Sequence, residues 1–170
     1  QPCRLHPERD KFLWEEKNRE IFLKVAEKCY LPATRLFTEL IAHHPDFKIT
    51  LSMSGIFLEQ AENYNPEVIK ALQELLQAGS DREQVEFLDE TYYHSLASLF
   101  SDPHKEEFRA QVSLHREKIR RLFGIFPTSF RNTELMYNNH IAEVVADMGY
   151  LSLLCEKRDD MYNTTGVPIS

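Results

Sequence analysis

Phe126-Pro127-Thr128-Ser129-Phe130 reads as a short strand, and Asn138 to Met148 as an amphipathic helix with Ile141, Val144, Val145 and Met148 on one face. The polar run Phe130-Arg131-Asn132-Thr133-Glu134 therefore sits where a strand gives way to a helix. In parallel α/β folds the carboxyl ends of the strands face the binding crevice, so a carboxylate placed there is aimed at a ligand more readily than one on a helix exterior. Glu134 is thus the candidate for chemistry. From the local sequence alone the plainer reading comes first, a helix-start carboxylate favoured by the dipole or a solvent-facing charge.

Working outward, the same alternation recurs. Apolar residues at helical spacing run from Trp14 to about His43 (Ile21, Phe22, Val25, Cys29, Leu36, Phe37, Leu40, Ile41), and Pro32 interrupts them, which predicts two helices or one kinked helix. His43-His44-Pro45-Asp46 is a turn, and Phe47 to Met53 alternates as a strand. A short helical segment through Phe57, Leu58 and Ala61 follows. A second helix then starts at Pro66 and ends at Ala78 before Gly79. Ser80 to Glu83 is a polar loop and Val85-Glu86-Phe87-Leu88 a strand. Asp102-Pro103 opens a long helix to Phe123, closed by Gly124, and Tyr150 to Leu154 is a last apolar strand. Strands separated by helices of a dozen residues indicate parallel βα units, forming an open sheet or an incomplete barrel. The expected organisation is one α/β domain over residues 1–156, with a polar tail at 157–170.

Composition bounds the function. The chain has 170 residues, 42% of them apolar, which suits a sizeable core. Its formal net charge of −7 argues against a nucleic-acid backbone or an anionic membrane as the main partner, since both need clustered positive charge. Cys3, Cys29 and Cys155 lack the paired spacing of a zinc or redox motif and read as reduced thiols of a cytoplasmic protein. No run approaches a membrane span, and the polar amino terminus has no signal-peptide pattern. The early Pro2 suggests the exit of a strand lying upstream of residue 1. Walker A, G-x-G-x-x-G, G-x-S-x-G and H-E-x-x-H patterns are all missing, so nucleotide, dinucleotide, serine-hydrolase and zinc readings lack support, and no metal or cofactor is expected.

Three polar clusters follow strands: Gln1-Pro2, Glu90 to His94, and Arg131 to Glu134. In a parallel arrangement they share one face and can converge. Tyr92, Tyr93 and Trp14 are candidate platforms for sugar rings, unless one or both tyrosines are core, and His94 is a candidate donor to a substrate hydroxyl.

Gln1-Pro2 resembles the end of a His-Gln-Pro motif, Glu86-Phe87-Leu88-Asp89-Glu90-Thr91-Tyr92-Tyr93-His94 a second signature, and Phe130-Arg131-Asn132-Thr133-Glu134 a third, of glycoside hydrolase family 57, the α-amylase and glucanotransferase family. Glu16-Lys17-Asn18-Arg19-Glu20 to Pro32, and Ser54 to Gln60, are similar to its α-amylase-like members. The resemblance covers Gln1 to about Glu156. It implies a retaining enzyme acting on α-1,4-glucans such as starch and maltooligosaccharides, on a (β/α)7-type barrel without a metal. It further implies Glu134 as nucleophile, His94 and Tyr93 lining a sugar subsite, Arg131 beside the nucleophile, and Gln1 of the first motif as a further substrate-binding residue. The histidine of that motif would precede Gln1, and the acid/base aspartate of the fourth region would follow Ser170. Asp159 and Asp160 do not match that region. A degenerate α-glucan-binding domain is the alternative. A half barrel with open strand edges is expected to self-associate as a homo-oligomer.

Overall fold

A computed structural model describes residues 14–156. The chain clusters into two compact units. The first takes the described residues up to Ile49 together with Ile56–Val85; the second takes Thr50–Gly55 and everything described from Glu86 onward.

In the first unit, α1 (Glu15–Val25) opens with Glu15 and Glu16 in its first turn, where the positive end of the helix favours them. The expected break at Pro32 takes the form of a π turn, Ala26–Tyr30, which passes directly into α2 (Leu31–His43). Proline offers no N–H and its ring crowds the carbonyl four residues back; widening the preceding turn by one residue accommodates it without ending the helix. A third helix, α3 (Gly55–Tyr64), which belongs to this unit from Ile56 onward, is followed by α4 (Pro66–Ala78), whose proline start and Gly79 stop fall where the sequence places them. Phe22 is ringed by Tyr30, Phe57 and Tyr64 at centroid distances of 5.7, 6.0 and 5.8 Å. Ile41, Leu58, Val68, Leu72 and Leu75 complete the core. Buried Gln84 donates from Nε2 to the His44 and Phe47 carbonyls at 3.0 and 2.8 Å, fixing the turn that leads into the first strand.

That strand, β1 (Ile49–Ser52), pairs with β2 (Val85–Leu88), and β3 (Ser129–Arg131) pairs with β4 (Ser152–Leu154). The β3–β4 ladder is parallel, with Phe130 opposite Leu153, and a single parallel bridge joins Asp89 to Phe130. The strand β3 begins three residues later than Phe126 because Pro127 has no ladder donor and Phe126 is exposed. Likewise α5 (Glu106–Phe123) begins after Lys105, not at Asp102. Lys105 is left-handed at φ 52°, and the Asp102 carboxylate instead accepts from the backbone N–H groups of Glu106 (2.7 Å) and His104 (2.9 Å). Gly124, at φ 72°, closes α5 in the conformation that glycine adopts at least cost. The last helix, α6 (Asn139–Asp147), is capped by Asn138, whose Oδ1 accepts from Ile141 N at 2.8 Å. Phe108, Val112, Phe130, Ile141, Val144, Val145 and Tyr150 form the second unit's core. Strand–helix–strand order with parallel pairing is the α/β arrangement of βα units that part of such a barrel requires. No helix among the described residues is long and apolar enough to cross a membrane.

Candidate active site

The parallel bridge brings two polar loops together. Asp89 N donates to the Ser129 carbonyl (3.0 Å) and Arg131 N to the Asp89 carbonyl (2.9 Å), so the residues following β2 lie beside those of β3. The two loops are then latched by a buried hydrogen bond between the Thr91 and Thr133 hydroxyls at 3.0 Å. The same Thr91 oxygen accepts from Ser95 N, and Thr91's carbonyl accepts from His94 N, which curls the β2 loop back on itself. Buried Asn132 donates from Nδ2 to Ser98 Oγ and to the Met136 carbonyl, both at 2.9 Å, and curls the β3 loop in the same way.

On this scaffold Glu90 is buried, with 2% of its side chain exposed, and accepts from Ser52 Oγ at 3.0 Å and from Arg131 Nη1 at 3.3 Å. His94 stands between two carboxylates. Its Nδ1 is 3.6 Å from Glu90 Oε2, and its Nε2 is 3.6 Å from Glu134 Oε1. Glu134 lies in a short 3-10 turn, Thr133–Leu135, directly after β3, with 73% of its side chain exposed. Its backbone is left-handed (φ 55°, ψ 24°), as is that of Leu135 (φ 54°) and of His94 (φ 52°). For residues with a Cβ this conformation is strained by about 1–2 kcal/mol each, and such outliers cluster where a side chain must be aimed.

The predicted residues divide accordingly. Glu134, His94 and Arg131 come together, Arg131 reaching Glu90. Tyr93 is exposed beside them in the loop, and its ring meets Tyr92 edge-on at 5.0 Å. Tyr92 is core, so only one of the two tyrosines is free to serve as a platform. Trp14 belongs to the first unit, where it is 72% exposed at the start of α1. Gln1, like Asp159 and Asp160, lies outside the described residues. Cys29 and Cys155 are free and exposed. Among the described residues no group of three or more His, Cys, Asp or Glu is gathered in a way that would hold a metal ion.

Sequence reasoning missed what lies beneath the site. Asp89, fully buried, accepts at Oδ1 from His115 Nδ1 and at Oδ2 from Tyr150 Oη (2.5 Å) and Arg116 Nε (3.4 Å). His115 faces acceptors on both sides, its Nε2 lying 2.7 Å from the Met53 carbonyl. Burial is the largest single influence on His115 and opposes its charge. The Asp89 hydrogen bond and charge, with the Met53 carbonyl and Glu90, together outweigh burial and hold the imidazole above its ordinary pKa. Burial and then the Asp89 charge push Tyr150 far up, so its hydroxyl remains a donor. Arg116 also stacks over the Tyr150 ring at 4.3 Å. The one available signal was His115 itself, which interrupts the apolar stripe of Phe108, Val112 and Ile119 on α5.

Comparison with known proteins agrees with this architecture. A Methanocaldococcus jannaschii protein with a provisional alpha-amylase assignment is 40% identical over 92% of this chain and 34% of its own length. The chain thus spans about a third of that relative. The 4-alpha-glucanotransferase of Thermococcus litoralis superposes with a TM-score of 0.62 over 78% of this chain and 19% of its own, at 20% identity. A family 57 branching enzyme from Thermococcus kodakaraensis, solved with glucose, also gives 0.62, over 79% and 35%, at 14% identity. These two likenesses establish a shared fold. The pattern of glycosyl hydrolase family 57 matches residues 1–167, and with that match and the 40% identical relative the chain belongs to glycosyl hydrolase family 57.

Proposed function

We propose that this chain carries the nucleophile of a retaining glycosidase acting on α-1,4-glucans, with Glu134 as that nucleophile. The observation that supports it best is the contrast between two neighbouring carboxylates. Glu90 is buried and engaged, whereas Glu134 projects, exposed, from the carboxyl end of β3 with an imidazole 3.6 Å behind it. In the reaction, Glu134 Oε forms a bond to the anomeric carbon as the glycosidic C–O bond breaks and the leaving oxygen takes a proton from an acid. Water or a sugar hydroxyl then displaces the carboxylate and gives hydrolysis or transfer. Exposed Tyr93 offers an aromatic platform for a sugar ring. Starch-like polymers fit the alpha-amylase assignment of the Methanocaldococcus relative and the glucanotransferase name of the Thermococcus litoralis neighbour. Free exposed thiols fit a cytoplasmic setting. Exposed Leu151 and Leu154 beside and on β4 fit self-association along that strand.

One observation favours a second reading, a glucan-binding domain without turnover. Retention needs a second carboxyl group about 5–5.5 Å from the nucleophile and able to deliver a proton. Among the described residues the second carboxylate beside His94 is Glu90, which is already committed to Ser52 and Arg131. The deciding experiment is reducing-sugar release from soluble starch and a short maltooligosaccharide by the protein and by Glu134→Gln. Loss of about 10³-fold or more in the variant is expected of a covalent nucleophile. Equal activity in both would refute the nucleophile assignment, and binding without turnover in both would favour the second reading.

A further inference from the structure

We infer that Glu90 is a positioning residue that acts on Glu134 through His94. The inference deepens the proposed nucleophile role and rests on it.

The three side chains follow one another as carboxylate, imidazole and carboxylate, with equal separations of 3.6 Å from the two ring nitrogens. Their surroundings differ. Glu90 is buried and held by two donors from separate strands, Ser52 from β1 and Arg131 from β3. His94 is 41% exposed and Glu134 is 73% exposed, so neither is fixed by packing. Order can therefore pass only outward, from the anchored carboxylate to the ring and from the ring to the nucleophile. The backbone supports the same direction. His94 and Glu134 are both left-handed and sit on loops joined by the Thr91–Thr133 hydrogen bond, so their Cα atoms are set and only the side-chain torsions remain free. A carboxylate facing Nδ1 selects the ring rotamer that turns Nε2 toward Glu134, just as partners behind a ligating histidine fix its orientation. Without it, the exposed ring is free to rotate and Glu134 loses the imidazole that defines its aim.

The test uses the full chain and the variants Glu90→Gln, which keeps the side chain's size, Glu134→Gln, and His94→Asn, since asparagine tolerates the left-handed backbone. The His94 ring nitrogen resonances, assigned by their loss in His94→Asn, are recorded at one fixed pH. The expected result is that Glu90→Gln moves Nδ1 most and Glu134→Gln moves Nε2 most. In turnover, Glu90→Gln is expected to lower kcat about 10- to 100-fold, the cost of misaligning a reacting group, with little change in KM. The double variant Glu90→Gln/His94→Asn is expected to be no slower than His94→Asn alone. If Glu134→Gln abolishes activity but Glu90→Gln leaves the ring resonances in place, or if the Glu90 and His94 losses multiply, this inference fails while the nucleophile reading stands. Full activity in Glu134→Gln overturns both.

Discussion

Replacing Asp89 by Asn tests whether the buried network, and not the surface of the loops, holds the site's floor. The substitution keeps size and shape. The amide can still donate toward His115 and accept from Tyr150 and Arg116, so what it removes is the charge. Three hydrogen bonds to the Asp89 carboxylate are affected. A bond to a charged group contributes about 1.5–3 kcal/mol and a neutral one about 0.5–1.5, so each weakens by about 1–1.5 kcal/mol. Three such losses amount to about 3–5 kcal/mol, the range found when one partner of a buried ion pair is removed. For a chain of this size that corresponds to a fall in Tm of about 6–20 °C. The pH dependence has a definite sign. The folded-state pKa of His115 lies above its ordinary value, so its ionisation stabilises the fold fully below about pH 6.5 and ceases to do so as pH rises through the folded pKa. The gap between the wild-type and variant Tm should therefore be widest near pH 6 and narrower at pH 9, followed by circular dichroism melts. A Tm within about 2 °C of wild type at pH 6, or a gap that widens toward pH 9, would refute the account.

Two further outcomes test the scaffold. At Gly55 an added Cβ would lie 2.6 Å from Tyr92 Cε2, so Gly55→Ala should destabilise by about 1–3 kcal/mol through overpacking, read as a lower urea midpoint with an unchanged m-value. Asp102→Ala should lower Tm at neutral pH by removing the acceptor for the Glu106 and His104 N–H groups at the start of α5. The Glu106 and then the His104 hydrogen bond hold the Asp102 carboxyl below its ordinary pKa. That stabilisation is present above about pH 4 and is lost as pH falls through the folded value, so the two proteins' melts should converge in acid.

Much of the frame was legible in the residues. Pro66 and Gly79 bracket α4, Val85–Leu88 is a strand, the apolar face of Ile141, Val144 and Val145 marks α6, and the polar runs after β2 and β3 do converge. Each of these rests on signals a few residues apart: a fixed φ, a missing N–H, a cap, an apolar period. Where a local signal competed with another, boundaries moved, as at Pro127 and at the Asp102–Lys105 turn. The chain's own order thus determined the α/β class, the strand–helix alternation and the stretch that would carry Glu134.

The division of labour among the carboxylates was decided only in three dimensions. Asp89, Glu90 and Glu134 all read as polar residues just beyond strands, yet one is locked in the core, one is anchored beneath the site and one is exposed. Asp89's fate depends on His115, 26 positions away, and on Tyr150, 61 away; Glu90's depends on Ser52 and Arg131, 38 and 41 away. A buried carboxylate survives only where distant donors arrive to replace its lost water, and no local pattern encodes which donors will arrive.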